Sequence, residues 1–188
     1  MSYLRTFAPW ILYAVIAGDS AGSKRWAALV ALGMTVLVVV RQRMKGEQFD
    51  ALIIEIGSGI FFAGLVLLAF VAPGSVLLGY SAALSSAALA VIAWGSLAIR
   101  RPFTLGIAKQ TTPREFWQQP AFLRVNVIIT LVWAASFTAG AVVLAAIVHS
   151  GGGTLPRTVA QVAAFVIPMV FTVRYAALVR RRAEGAVS

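Results

Sequence analysis

Residues 100–126 of this chain read RRPFTLGIAKQTTPREFWQQPAFLRVN, and they are the only long polar segment between hydrophobic runs. Five of the sixteen basic residues and three of the seven prolines fall within these 27 positions. The stretch also carries Phe103, Phe116 and Trp117, and aromatic residues of this kind are typical of the interface between membrane and water. This density predicts an ordered segment that connects two membrane helices.

Composition places the chain in the class of integral membrane proteins. Of its 188 residues 60% are hydrophobic and 12% are charged, and the mean hydropathy of +0.88 excludes an ordinary water-soluble domain. The net charge of +10 does not indicate nucleic-acid binding, because the basic residues lie in short clusters at the ends of apolar runs. Without cysteine there is no thiolate metal site, and one histidine excludes a bis-histidine haem, so no metal or cofactor is expected.

Six apolar runs predict an all-α membrane bundle of six transmembrane helices, paired as three hairpins in a single domain. The predicted helices cover residues 4–17, 26–40, 51–71, 76–99, 125–148 and 158–178, and residues 100–124 connect the fourth to the fifth. The first two runs are short, since about 14 residues reach only ~21 Å across a hydrocarbon core of ~30 Å. A re-entrant hairpin is the alternative for this pair, but it would place Asp19, Lys24 and Arg25 inside the membrane. Two thin spanning helices are therefore preferred.

The distribution of lysine and arginine predicts the orientation of the bundle. With six spanning helices, thirteen of the sixteen basic residues fall on one side, and only Lys24, Arg25 and Arg157 fall on the other. Cytoplasmic loops carry an excess of Lys and Arg. Both termini are therefore predicted to lie in the cytoplasm.

An internal echo fits the hairpin arrangement. Residues 61–69 and 137–145 share six of nine amino acids, and the hairpins that contain them both end at an arginine pair. A parallel repeat explains the match. Chance similarity between apolar helices rich in Ala, Leu, Val and Gly explains it equally well.

Glu55 is the first candidate for an intramembrane functional residue, because it is the only acid within a long apolar run. As a proton carrier it would need burial and an aqueous path. An ion pair with Arg124 or Arg174, or snorkelling to the interface, is the structural alternative. That alternative is preferred, since Glu55 lies only about one turn inside the helix.

Two helices carry faces of polar and aromatic residues. On the fifth helix the spacings of four, three, four and three place the following residues on one face: Asn126, Thr130, Trp133, Phe137 and Gly140. On the sixth helix the corresponding face consists of Gln161, Phe165, Pro168, Thr172 and Tyr175. Such faces line a pore or a ligand groove in some proteins, but close helix packing uses the same residue types and is preferred. A proline such as Pro168 within a helix permits a kink.

The connecting segment contains a capping-box pattern in Thr112, Pro113 and Glu115. The pattern predicts a short interfacial helix that starts at Pro113 and ends before Pro120. Anionic lipid headgroups are the simplest partners of this segment, and an envelope protein or a second copy of the chain is the alternative. The candidate lipid or partner interface comprises Arg100, Arg101, Pro102, Phe103, Arg114, Phe116, Trp117 and Arg124.

The layout resembles the intracellular septation protein A-like family of small bacterial inner-membrane proteins. The resemblance is carried by the basic pair before Pro102, the aromatic segment with Trp117, and a helix with Trp133 and Phe137. Pro9 near the entry of the first helix and the basic residues 41–43 also fit. The similarity covers most of the chain in helix order more than in identity. Where the family has an asparagine beside the tryptophan this chain has Thr130, with Asn126 one turn earlier. The resemblance implies a role in envelope integrity and division without catalytic residues.

Two functions follow from these observations. The first is a non-enzymatic scaffold or regulator of the cell envelope, because the sequence carries no constellation of acid, base and nucleophile. The second is a transporter or channel for a small solute or ion, proton-coupled through Glu55. His149, alone beside glycines, is expected to be a surface residue.

Overall fold

The computed structural model describes residues 2–18, 20–44 and 52–185, and the side chains of all of these except residues 2–5, 21 and 182–185. Within these ranges the chain is helical and contains no β-strand, which confirms the all-α bundle. The α-helices in chain order are α1 Ser2–Ile16, α2 Ala21–Met44, α3 Ile53–Val71, α4 Val76–Gly79, α5 Ser81–Ala98, α6 Phe103–Lys109, α7 Pro120–His149 and α8 Thr154–Gly185.

Five helices are long and apolar enough to cross a membrane, namely α2, α3, α5, α7 and α8. The first helix is not one of them. Its 15 residues reach only ~22 Å, and its apolar part is Thr6–Ile16. The chain is thus a multi-pass membrane protein in which five of the six expected spans have the required length.

The second helix is longer than predicted. It begins at Ala21 rather than at residue 26 and has 24 residues, so the expectation of a short second helix is wrong. Ser20 starts it, because the Ser20 hydroxyl accepts a hydrogen bond of 3.0 Å from the Ser23 amide. The polar residues Lys24 and Arg25 therefore belong to the first turns of α2 and not to a loop.

Arg25 connects the start of α2 to the end of α3. Its guanidinium lies 4.7 Å from the ring centre of Phe70 and donates a hydrogen bond of 3.4 Å to the Ala69 carbonyl. This contact satisfies a carbonyl group in the last turn of α3 with a cation, as helix C-termini favour.

The predicted fourth helix is two helices. The Tyr80 amide bonds to the Leu77 carbonyl at 3.0 Å, three residues back instead of four, and this tighter turn separates α4 from α5. Ser75 caps α4 by accepting a hydrogen bond of 3.3 Å from the Leu77 amide.

The remaining bounds also differ from the predicted ones. Helix α7 begins at Pro120, five residues early, and a proline fits this first position because the first amides of a helix have no partner within it. Helix α8 begins at Thr154, four residues before residue 158, and extends to Gly185. The predicted start of the third helix, Ala51, lies outside the described residues.

Helix α7 is central to the packing. It contacts α5, α8 and α6, while α2 contacts both α1 and α3. At Gly140 the neighbouring helices come close, since a Cβ at this position would lie 2.8 Å from the Ala164 Cβ and 3.6 Å from the Ser86 hydroxyl. The absence of a side chain therefore sets the distance between α7 and α8.

An aromatic cluster joins α1 to α7 and α8. Phe7 stacks on Trp133 with ring centres 4.8 Å apart, and it makes edge-to-face contacts with Phe137 and Phe165 at ring-centre distances of 6.2 and 5.5 Å. Beside this cluster, the Trp10 indole donates a hydrogen bond of 2.8 Å to the Ser58 hydroxyl on α3. The short first helix is thus held by side chains of three longer ones.

Candidate functional site

The connecting segment starts with a tight helix end. At the end of α5 the Arg101 amide bonds to the Ser96 carbonyl at 2.8 Å, and the Arg100 amide bonds to the Leu97 carbonyl at 2.9 Å. Arg100 adopts a φ of +58°, the left-handed conformation that this Schellman motif requires. Glycine normally occupies such a position, so Arg100 is an unusual residue there.

The first half of the segment enters the bundle. Residues 102–107 are buried, and Phe103 is 2% exposed, with its ring centre 6.3 Å from those of both Phe7 and Trp133 in edge-to-face contacts. The Phe103 amide bonds to the Ser96 hydroxyl at 3.1 Å. Pro102 and Phe103 are therefore core residues, and their assignment to a lipid or partner interface is wrong, because the apolar core offers Phe103 more contacts than the surface does.

Helix α6 is fixed to α7 by one threonine. The Thr104 hydroxyl lies 3.0 Å from the Asn126 carbonyl and 2.7 Å from the Thr130 hydroxyl, and all three side chains are buried. The side-chain amide of Asn126 in turn donates to the Phe122 carbonyl at 2.9 Å. These bonds satisfy polar groups that would otherwise be buried without partners.

The second half of the segment lacks the predicted helix. Residues 114–116 form a single 3₁₀ turn, Pro113 precedes it in an extended conformation, and no side chain caps it. The capping box of Thr112 and Glu115 is therefore not formed. The reason is the short distance between Pro113 and Pro120, which leaves too few residues for stable α-helical turns and holds Gln119 extended.

Trp117 is the centre of this half. Its indole N–H donates a hydrogen bond of 2.9 Å to the Thr112 carbonyl, which fixes the ring. The Lys109 ammonium lies 5.1 Å from the ring centre and the Arg114 guanidinium lies 5.6 Å from it, both within cation–π range. We call Lys109, Arg114 and Trp117 the cation–tryptophan cluster. Lys109 was absent from the sequence candidates.

The other surface candidates are also exposed side chains. Phe116, next to Trp117 in the chain, is 40% exposed. Three arginines are also exposed, namely Arg100, Arg101 and Arg124. All lie at the end of the bundle where α5 ends and α7 begins, which we call the basic end.

Glu55 is buried between α2 and α3. Its side chain is 3% exposed and its carboxylate accepts a hydrogen bond of 3.0 Å from the amide of Gln42, which is also 3% exposed. Because protein covers the carboxyl group, Glu55 does not snorkel to the interface. Arg124 and Arg174, the ion-pair partners considered from the sequence, are both exposed.

The polar face of α7 is buried along its whole length. Thr130, Trp133 and Phe137 are each 0% exposed. The Trp133 indole donates a hydrogen bond of 3.0 Å to the Thr172 hydroxyl on α8, and Thr172 donates to the Pro168 carbonyl at 2.7 Å. These side chains meet neighbouring helices and therefore act in helix packing.

The face of α8 is covered less completely than that of α7. Pro168 and Thr172 are buried, whereas Gln161, Phe165 and Tyr175 are half-buried. Only 17% of the apolar stretch of α8 is buried inside the structure, compared with 39% for α7. Helix α8 therefore lies at the edge of the bundle.

An open depression of about 500 Å³ lies at the opposite end from the cation–tryptophan cluster. Lys24, Tyr80 and His149 are among the residues that line it, together with the turn at Pro73. Glu55 and Asn126 do not line this depression. His149 is exposed, as expected for a surface residue.

No protein-family model, curated protein or solved structure matches this chain.

Proposed function

We propose that this protein is a non-enzymatic scaffold or regulator of the bacterial cell envelope that binds its partners at the basic end. The docking surface consists of Arg100, Arg101, Lys109, Arg114, Phe116, Trp117 and Arg124. The observation that carries this proposal is the cation–tryptophan cluster, because the Trp117 ring is fixed by a hydrogen bond and has two cations within cation–π range, outside the buried core. Fixed aromatic and arginine side chains are the residues that dominate binding surfaces.

The condition of the intramembrane polar residues supports the same proposal. Their polar groups form hydrogen bonds between neighbouring helices. Thr104 is bonded to Thr130, and Trp133 is bonded to Thr172. The side chains available to a partner are therefore concentrated outside the apolar spans. The resemblance in layout to septation protein A-like proteins points to the same class of role.

The proposed location is the bacterial inner membrane with both termini in the cytoplasm. This orientation rests on the excess of Lys and Arg at the basic end, which is the expected cytoplasmic signal. It requires α1 to cross a locally thinned bilayer despite its 15 residues. Cysteine scanning with a membrane-impermeant reagent tests the orientation, since the natural chain has no cysteine.

The experiment for the docking function replaces the chromosomal gene in the source cell with a variant that carries Arg114→Gln, Phe116→Ala and Trp117→Ala. We expect the variant cell to lose the protein's function in the envelope and the in vivo crosslinks between this surface and its partners. The level of the protein in the membrane should be unchanged. The matched control carries Arg180→Gln and Arg181→Gln, which remove two exposed cations from α8. Retention of crosslinks and phenotype by the first variant would overturn the proposal.

A proton-coupled transporter or channel is the second candidate, and the burial of Glu55 favours it. A carboxyl group at 3% exposure within a membrane helix, with a hydrogen bond from the Gln42 amide, has the burial that a proton carrier needs. This function is tested by measuring the flux of protons or a solute into proteoliposomes with a fluorescent dye. If the wild type shows no flux, this second function is excluded, and if Glu55→Gln and Asn126→Ala leave an observed flux unchanged, proton coupling through Glu55 is excluded.

A further inference from the structure

The cation–tryptophan cluster places two positive charges beside one ring. Lys109 is the last residue of α6 and Arg114 begins the 3₁₀ turn, so two different elements present them. Each charge lies less than 6 Å from the same ring centre, and their separation therefore cannot exceed the sum of those two distances. The ring attracts both cations but does not neutralise them, because a π-system carries no net charge.

The cation–tryptophan cluster lies close in sequence to the start of a membrane helix. Helix α7 begins at Pro120, three residues after Trp117, and α6 before it is buried in the bundle. Trp117 and the exposed Phe116 therefore lie where a membrane span emerges. Tryptophan and phenylalanine at such positions lie at the level of lipid headgroups.

The charge at the basic end favours an anionic partner. Arg100, Arg101 and Arg124 are exposed at the same end of the bundle as the cluster, and among the described side chains Glu115 is the one exposed acid. A basic cluster next to a membrane span attracts anionic lipids with an energy of about 1 kcal/mol per charge. An aromatic residue exposed beside the charges matches a ligand that has both a phosphate and an apolar part, which a lipid has and a free phosphate lacks.

We infer that the cation–tryptophan cluster binds the phosphate of an anionic phospholipid, with Lys109 and Arg114 as donors and Phe116 in contact with its apolar part. This inference rests on the proposed docking surface and names one partner of it. Arginine and lysine bind phosphate through charge-assisted hydrogen bonds, and arginine offers two parallel ones. The fixed Trp117 ring reduces the conformational freedom that both cations lose on binding.

The test measures lipid binding to the full chain purified in a neutral detergent. Phosphatidylglycerol and phosphatidylcholine are titrated separately, and binding is followed by native mass spectrometry and by the shift in the melting temperature. We expect phosphatidylglycerol to bind and stabilise the protein, and phosphatidylcholine to have no effect. The variant with Lys109→Gln and Arg114→Gln should bind phosphatidylglycerol about 10- to 30-fold more weakly.

Further controls distinguish binding at a specific site from general attraction of the lipid to a positively charged protein. The variant with Arg174→Gln and Arg181→Gln removes the same charge from exposed positions on α8, and it should bind phosphatidylglycerol like the wild type. Equal losses in both variants would overturn the inference, as would equal binding of phosphatidylcholine. Inorganic phosphate and glycerol 3-phosphate form a third arm, and stabilisation by these at similar concentrations would show a soluble anion site in place of a lipid site.

Folding and the docking function are checked independently. Gel filtration and the melting temperature without lipid show whether the Lys109→Gln, Arg114→Gln variant is folded, and Trp117→Phe offers a second variant that keeps the cations but removes the hydrogen bond to Thr112. Trp117→Phe should weaken phosphatidylglycerol binding less than the double variant does. A wild type that binds no phosphatidylglycerol while the docking variant still loses its crosslinks in cells overturns the lipid inference and leaves the proposed function standing.

Discussion

Phe7 of α1 and Trp133 of α7 are stacked, with ring centres 4.8 Å apart and ring planes at 13° to each other. Both side chains are almost completely buried. The contact joins the short first helix to the central helix of the bundle across more than 120 residues of sequence. It is therefore the natural place to test whether α1 is an integral part of the fold.

Replacing Phe7 by alanine should destabilise the protein by about 3–5 kcal/mol, since a buried aromatic side chain leaves a cavity. The measurement is unfolding in detergent, followed by the change in the fluorescence of the five tryptophans. Val15→Ala is the matched control on the same helix, because Val15 is 79% exposed and should contribute little. Equal stability of the two variants would contradict the packing of α1 against α7.

Glycine 140 offers a second test. Gly140→Ala should destabilise the protein by about 1–3 kcal/mol, because the new Cβ would lie 2.8 Å from the Ala164 Cβ. The double variant with Gly140→Ala and Ala164→Gly should recover most of that loss. Gly64→Ala is the control, since nothing lies within 4 Å of its added Cβ, and alanine in a helix should leave stability unchanged or raise it by up to ~1 kcal/mol.

The left-handed conformation of Arg100 predicts a stabilising substitution. Arg100→Gly should raise the free energy of unfolding by about 1 kcal/mol, because glycine adopts a φ of +58° without a Cβ penalty. Arg100→Ala removes the charge but keeps the Cβ, so it should not stabilise. The end of α7 provides the reciprocal case, since Gly151 occupies the same position with a φ of +71° and Gly151→Ala should destabilise by a similar amount. Chemical unfolding of all three variants is the measurement.

The buried pair of Gln42 and Glu55 predicts a non-additive effect on stability. Gln42→Leu removes the donor to the buried carboxylate and should cost about 1–3 kcal/mol. Glu55→Leu removes the acceptor. If the hydrogen bond links the two residues, the double variant should cost less than the sum of the single ones by at least ~0.5 kcal/mol, as neighbours in contact do. Additive costs would show that the two side chains do not interact energetically.

The existence of the long helices could be predicted from the sequence, and their ends could not. Apolar runs of about 20 residues allow only helices within a membrane. Lys24 and Arg25, by contrast, resemble loop residues in a hydropathy pattern, yet Ser20 caps a helix that includes them. Arg25 is accommodated there by the Ala69 carbonyl and by Phe70, which lie 44 and 45 residues further along the chain.

In the connecting segment, too, the ends of the helices could not be predicted from the sequence. The capping pattern at Pro113 predicted a helix from local signals, whereas the α-helix of the segment begins ten residues earlier at Phe103 without a side-chain cap. Its stability comes from distant contacts, namely those of Phe103 with Phe7 and of Thr104 with Thr130. The tryptophan was predicted as an interfacial residue, but its pairing with Lys109 depends on how the chain turns between them.

The hydrogen bonds that join α6 to α5 and to α7 have a mechanical consequence. Ser96 on α5 holds the Phe103 amide, and Thr104, the next residue, is hydrogen-bonded to α7. A displacement of α7 along its axis therefore must move α6 with it or break hydrogen bonds in the protein interior. Because Phe103 and Thr104 are adjacent, the hydrogen bonds of these two residues connect α5 to α7 across a single peptide unit.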